Sequence, residues 1–224
     1  MSRKFLLRKV VGNRSFLDYD PQKFWTYSRE DIQVGSKRRS DATLGDTEKG
    51  RVLVSLIKTA EIKSALEFGC GFGQNLKNIS AAFPKKKLRL VGCDISKVQL
   101  EKAKSFMGPE YYKRVKLFEH DLANKLPFPD KSFDLVYTGG VLMHVLPKHI
   151  ENVVSEMKRL SKDYIYIYER TNRYEEGERH PNNFVFNYDY CGMFNDCKLA
   201  FSRELPKKHF IYIFRKNDFF LKSI

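Results

Sequence analysis

From Thr47 onward the hydrophobic positions of the chain switch repeatedly between two spacings. Val52, Leu53, Leu56 and Ile57 recur at helical intervals, with Asp46 or Thr47 available as N-cap, and predict a helix over 48–58 packed on a sheet. Short apolar runs then predict strands over 64–68, 88–93, 115–120, 133–138 and 164–168, separated by helical patterns over 74–82, 97–106 and 149–161. Such alternation specifies parallel strands with helices on both faces, because the crossovers are right-handed. The predicted class is α/β, a doubly wound, Rossmann-like, mostly parallel sheet. Two strand-like runs over 198–205 and 207–214, broken at Pro206, predict a C-terminal antiparallel hairpin.

Residues 1–45 follow neither period. They are rich in charge and carry isolated aromatics at Phe16, Tyr19, Phe24, Trp25 and Tyr27, the pattern of an N-terminal helical lid or wrap. With 224 residues the length suits one globular domain, over 46–224, with that elaboration in front.

Composition narrows the class. A chain that is 42% hydrophobic and 30% charged has a folded core, here rich in aromatics with 18 Phe and 12 Tyr. The first ten residues place charges around only two leucines, too little for a signal peptide, and no window holds the roughly 20 apolar residues that cross a bilayer. The expectation is a cytoplasmic protein without a membrane span. Cys70, Cys93, Cys191 and Cys197 form no Cys-x-x-Cys pair, so reduced thiols and no metal are expected. The net charge of +14 raises nucleic acid as a partner. Residues 1–40 hold ten Lys and Arg against four Asp and Glu, and the remaining +8 is spread without a dominant block, so a dedicated nucleic-acid surface is not favoured.

Chemistry concentrates where the first strand ends. Gly69, Gly71 and Gly73 follow it at alternate positions, removing the Cβ atoms that would keep a ligand off the backbone, just before a helix N-terminus with free N–H groups. A Gly-x-Gly-x-x-Gly dinucleotide fingerprint would need its third glycine at Gln74, and the acidic Glu67 precedes the loop, so NAD fits poorly. The next strand delivers Asp94 roughly 20 residues after the glycines, where a carboxylate can accept ribose hydroxyls. The third ends in Glu119-His120-Asp121-Leu122 and the fourth in Thr138-Gly139-Gly140.

Glu67-x-Gly69-x-Gly71-x-Gly73, with Asp94 and Asp121 at the following strand ends, resembles the motif order of class I S-adenosylmethionine-dependent methyltransferases over roughly residues 45–170. That family has a seven-stranded sheet ending in an antiparallel seventh strand. The resemblance implies S-adenosyl-L-methionine as cofactor. Glu67 and the three glycines would meet its methionine portion, Asp94 and Ile95 its ribose, and Asp121 and the Leu122 backbone its adenine, with Thr138 and Gly139 bordering the methionine end. The chain lacks both the Asn/Asp-Pro-Pro-Tyr/Phe segment of exocyclic-amine methyltransferases and the Pro-Cys of cytosine-5 enzymes. Residues 140–145 and 156–169 look like methylases found with bacterial surface-sugar biosynthesis. The implied acceptor is a small or medium-sized molecule, a sugar or natural-product hydroxyl or amine, including an acidic or nucleotide-linked one.

Two residues are candidate bases for an acceptor that must lose a proton. His144 stands one turn beyond the fourth strand, where it alternatively only orients the loop, and Glu169 ends the fifth, where open α/β sheets bind ligands. Glu169 alternatively pairs with Arg170 or Arg173. Phe184, Phe186, Tyr188 and Tyr190 alternate and either stack on an acceptor or, the favoured reading, join the core. Trp25, Tyr27 and Lys37-Arg38-Arg39 either close over the cofactor and an acidic acceptor or form a solvated charge run. An RNA or protein acceptor, and a non-catalytic methyltransferase-fold subunit, are the alternative functions.

Overall fold

The computed structural model describes Trp25 and residues 47–170, 186–206 and 208–216. Of the N-terminal lid or wrap, only Trp25 is among them. Phe16, Tyr19, Phe24, Tyr27, Lys37-Arg38-Arg39, Arg173 and Phe184 lie outside the described residues.

The elements are α1 (Glu48–Thr59), β1 (Ser64–Phe68), α2 (Gln74–Ala82), β2 (Arg89–Asp94), α3 (Lys97–Tyr112), β3 (Val115–Glu119), β4 (Phe133–Gly139), a single 3-10 turn (Leu142–His144), α4 (Pro147–Leu160), β5 (Ser161–Arg170), α5 (Tyr190–Met193), β6 (Lys198–Leu205) and β7 (His209–Arg215). The strands form one seven-stranded sheet in the order β3-β2-β1-β4-β5-β7-β6. Pairing is parallel from β3 through β5, whereas β7 runs antiparallel to both β5 and β6. The order reverses between β1 and β4, so a crevice opens at the carboxyl ends of these two strands.

Alternation along the strands assigns the sheet's two faces. Leu66 and Phe68 of β1 join Val136, Ile165 and Ile167 in one core, completed by α4 and the segment around Phe186, Tyr188 and Tyr190. Ala65 points the other way, with Leu135, Tyr137 and Tyr166, into a second core covered by α1, α2 and α3. The described part of the aromatic run is therefore core: Phe186, Tyr188 and Tyr190 are buried, and the Tyr188 phenol donates to the Val145 carbonyl at 2.6 Å.

Local sequence accounts for the element ends. The Thr47 hydroxyl caps α1 by accepting from the Gly50 N–H at 3.2 Å. Helix α3 runs beyond the 97–106 expected from periodicity; Gly108, at φ 75°, kinks the chain ahead of Pro109, and a further turn follows. β5 begins at Ser161, earlier than its apolar run, because the C-cap residue of α4 is already extended. Asp134 binds the start of β1 to β4: its carboxylate accepts from the N–H groups of Lys63 and Ser64, both at 2.9 Å. Among the described residues all four cysteines are free thiols, no His/Cys/Asp/Glu cluster could hold a metal, and no helix is long and apolar enough to cross a membrane.

Gly92, in the middle of β2, fits only because it has no side chain: a Cβ would stand 2.6 Å from Leu76 Cδ1 and 2.8 Å from Cys70 Cβ. Gly92→Ala is expected to destabilise the fold by about 1–3 kcal/mol through overpacking. Urea unfolding of the variant beside the parent measures it, and an unchanged midpoint would refute this account of the packing.

Candidate active site

The chain leaves β1 through three residues in left-handed backbone, Gly69 at φ 68°, Gly71 at 55° and Gly73 at 80°. Side chains adopt this region at a cost, and the neighbours raise it: a Cβ on Gly71 would meet Gln99 Oε1 at 2.6 Å. The glycines thus serve the turn and its packing against the protein, a reason distinct from the clearance for a ligand that the sequence suggested. Gln99 Oε1 is itself buried without a hydrogen-bond partner among the described residues.

This turn brings α2 back over the end of β1. Glu67, 2% exposed, then receives two side-chain donors: Asn75 Nδ2 to Oε1 at 2.6 Å and the Tyr137 hydroxyl to Oε2 at 3.1 Å. Tyr137 arrives by register, since it is the direct β4 partner of Glu67. Burial is the largest influence on the Glu67 carboxyl and raises it to about 8, against the opposing effects of Asn75, Tyr137 and the Lys49 charge. Burial also pushes the Tyr137 phenol well up, so it stays protonated and remains a donor.

Beside the partners of this carboxyl lies a shallow cleft lined by Lys49, Gly50 and Leu53 of α1, Asn75 of α2, Tyr137, Thr138 and Gly139 of β4, and Tyr166 and Tyr168 of β5. Lys49 Nζ stands 4.6 Å above the Tyr168 ring, and the Lys49 carbonyl accepts from the Tyr166 hydroxyl at 2.9 Å. A Cβ added to Gly139 would reach no closer than 3.7 Å to Tyr168 and 3.9 Å to Asn75, so the missing side chain leaves the cleft open. Thr138 borders the same cleft, but its hydroxyl is used by the sheet, donating to the Phe68 carbonyl at 3.1 Å.

Asp94 ends β2 on the other side of the glycine turn. Its Oδ2 accepts from the Gly71 N–H at 2.7 Å and its Oδ1 from the Ser96 N–H at 2.8 Å, an arrangement that fixes the carboxylate. Ile95 beside it is half-buried. Farther along the strand ends, Asp121 is exposed with Oδ1 accepting from Ala123 N–H at 2.9 Å, and Leu122 packs against the core. Glu67, Asp94, Asp121, Thr138 and Gly139 therefore share one edge of the sheet.

The two candidate bases differ in placement. His144 is half-buried in the 3-10 turn, its ring 4.9 Å from that of Trp25. Glu169 is fully buried on the face opposite Glu67, and it accepts from the backbone N–H groups of Val141 and Leu142 through Oε1, at 2.9 and 3.0 Å, and of Met143 through Oε2 at 3.4 Å. Burial raises its carboxyl to about 7, which by itself would suit a base. With no exposure and three N–H groups on its oxygens, the carboxyl organises the segment after β4. Sequence reasoning missed Asn75, Tyr137 and Lys49. Tyr137 alone left a signal, its place on the Leu135–Gly139 face of β4.

Residues 65–163 match the sequence family described as a methyltransferase domain. The chain is 26% identical over 190 residues to phosphoethanolamine N-methyltransferase 1 of Arabidopsis thaliana, covering 80% of this chain and 37% of that protein. It is 34% identical over 101 residues to a tRNA N(3)-cytidine methyltransferase of Gallus gallus, covering 43% of this chain and 27% of that one. The chain thus spans about a third of the length of these curated relatives or less. In fold it is similar to an S-adenosylmethionine-dependent methyltransferase from Aquifex aeolicus, at TM-score 0.56 and 16% identity, covering 97% of this chain and all of that one.

Glu67 and Glu169 hold their protons more tightly when folded than when unfolded. Their contribution to stability is therefore complete below about pH 4.5 and is lost as pH rises through about 7 for Glu169 and about 8 for Glu67. Without ligand, unfolding free energy is expected to fall by on the order of a few kcal/mol between pH 5 and pH 9. Denaturant titrations across that range measure it, and Glu67→Gln should flatten the upper part of the slope; stability rising with pH would contradict the burial argument.

Proposed function

We propose that the protein, whose residues 65–163 match a methyltransferase domain, is a class I, S-adenosylmethionine-dependent methyltransferase that methylates a small or medium-sized acceptor carrying a hydroxyl or amine. The observation that carries the cofactor assignment is a cleft lined by Lys49 and by Asn75 and Tyr137, the partners of Glu67, paired with Asp94 across a left-handed glycine turn. A methionine tail bears an ammonium and a carboxylate; Glu67 and Lys49 offer the complementary charges. Lys49 enters as the anchor for the carboxylate and Glu67, with Asn75, as the partner of the ammonium. The Asp94 carboxylate, fixed at the end of β2 beside the glycine turn, suits ribose hydroxyls, and Asp121 and Leu122 suit adenine.

When bound, S-adenosylmethionine supplies an electrophilic methyl group on a sulfonium sulfur. The protein's own part is to fix the reactants in line and to exclude water, which can account for much of the acceleration of such a displacement. His144 is the base for a hydroxyl acceptor. Glu169 acts through the backbone of Val141–Met143, holding the turn that carries His144. Similarity to an enzyme named for phosphoethanolamine supports a small acceptor. The net charge of +14 and similarity to a tRNA methyltransferase favour RNA as the second reading. RNA binding that weakens steeply with salt would support it, and no binding at low salt would remove it.

Asp94→Ala is expected to weaken binding of S-adenosylhomocysteine by about 1.5–3 kcal/mol, the worth of charge-assisted hydrogen bonds. Calorimetry reads this directly, and an unchanged dissociation constant would sink the ribose assignment. Gly139→Ala has room in the fold, so its melting temperature should stay near the parent's while cofactor affinity drops. Retained affinity would mean that the methionine portion lies elsewhere.

A further inference from the structure

A chain of contacts crosses the crevice from the Asp94 end to the His144 end, and it runs through the protein's single tryptophan. Asp94 Oδ1 accepts from the Ser96 N–H at 2.8 Å. Ser96 occupies the N-cap position of α3, yet its hydroxyl makes no cap bond; it donates instead to the Trp25 carbonyl at 3.4 Å. The Trp25 ring meets the His144 ring at a centroid distance of 4.9 Å and an interplanar angle of 73°, an edge-to-face contact. Ser96 follows β2 and His144 follows β4, strands separated by β1. Trp25 therefore spans the carboxyl end of β1, where the glycine turn begins.

We propose that Trp25 is a positioning residue of the transfer site, bridging the ends of β2 and β4 so that occupancy of the cofactor site at Asp94 is coupled to the placement of His144. The inference rests on the cofactor reading above and extends it. Ser96 stands between the two sites: its N–H orients the Asp94 carboxylate and its hydroxyl holds the Trp25 backbone. A ligand that draws on Asp94 acts on Ser96 and through it on the indole. His144, in a turn whose backbone Glu169 fixes, is met by the indole from across the crevice.

A single tryptophan makes the coupling visible, since all indole emission comes from Trp25. In the wild-type chain, titration with S-adenosylhomocysteine should change the intensity or wavelength of that emission with the same dissociation constant as calorimetry. His144→Ala should alter the emission of the ligand-free protein. Trp25→Ala should weaken S-adenosylhomocysteine binding by roughly three- to tenfold, and Trp25→Phe, which keeps a ring against His144, should recover most of the loss. Calorimetric binding with an unmoved emission, or full affinity in Trp25→Ala, would overturn the proposal and leave the cofactor reading intact. Absence of calorimetric binding to the wild-type chain would overturn both.

Discussion

A carboxyl group cut off from water stands near the end of the sheet's central parallel strand, and the surrounding elements are placed as its burial requires. Burying Glu67 without partners would cost several kcal/mol, so donors must be brought to both oxygens. One comes from α2, which demands that the chain reverse within the few residues after β1; three left-handed glycines accomplish that reversal. The other comes from β4, whose parallel register places Tyr137 directly beside Glu67. Lys49 on α1 adds a cationic influence from above. The carboxyl still resists ionisation, and a ligand that brings a positive charge to it relieves the strain of its burial.

The opposite face of the same sheet holds the second buried carboxyl, and the contrast shows how one residue type serves two ends. Glu169 faces backbone N–H groups, which fix a turn. Glu67 faces side chains that border a cleft. Two strand-end glutamates on opposite faces thus differ in role: one fixes a loop and the other meets the side chains that line a cleft.

Much of this was legible in the sequence because β1, β2 and β4 are buried on both faces and read as continuous apolar runs. The glycine turn, Asp94 and the final hairpin followed from spacing alone. The place of Glu169 was not legible, because a strand-end carboxylate looks the same in sequence whether it turns toward a crevice or under a loop. Asn75 and Lys49 were missed because helical periodicity reports which face is apolar and not which polar residue at its border meets the sheet. Trp25 was left between closing over the cofactor and belonging to a solvated charge run, because a contact between residues 25 and 144 depends on tertiary packing that no local pattern encodes. The glycines were found for an incomplete reason: their φ angles and the neighbouring Gln99 require them before any ligand does.

The central claim is that Glu67 meets the positively charged end of the cofactor's methionine portion. Calorimetric titration with S-adenosylhomocysteine near pH 7, repeated in buffers of different ionisation enthalpy, counts the protons exchanged on binding. A carboxyl raised to about 8 by burial should release its proton when an ammonium group arrives, so the observed enthalpy should depend on the buffer, with net release, and Glu67→Gln should abolish that dependence. Tight binding with an enthalpy independent of buffer would contradict the claim.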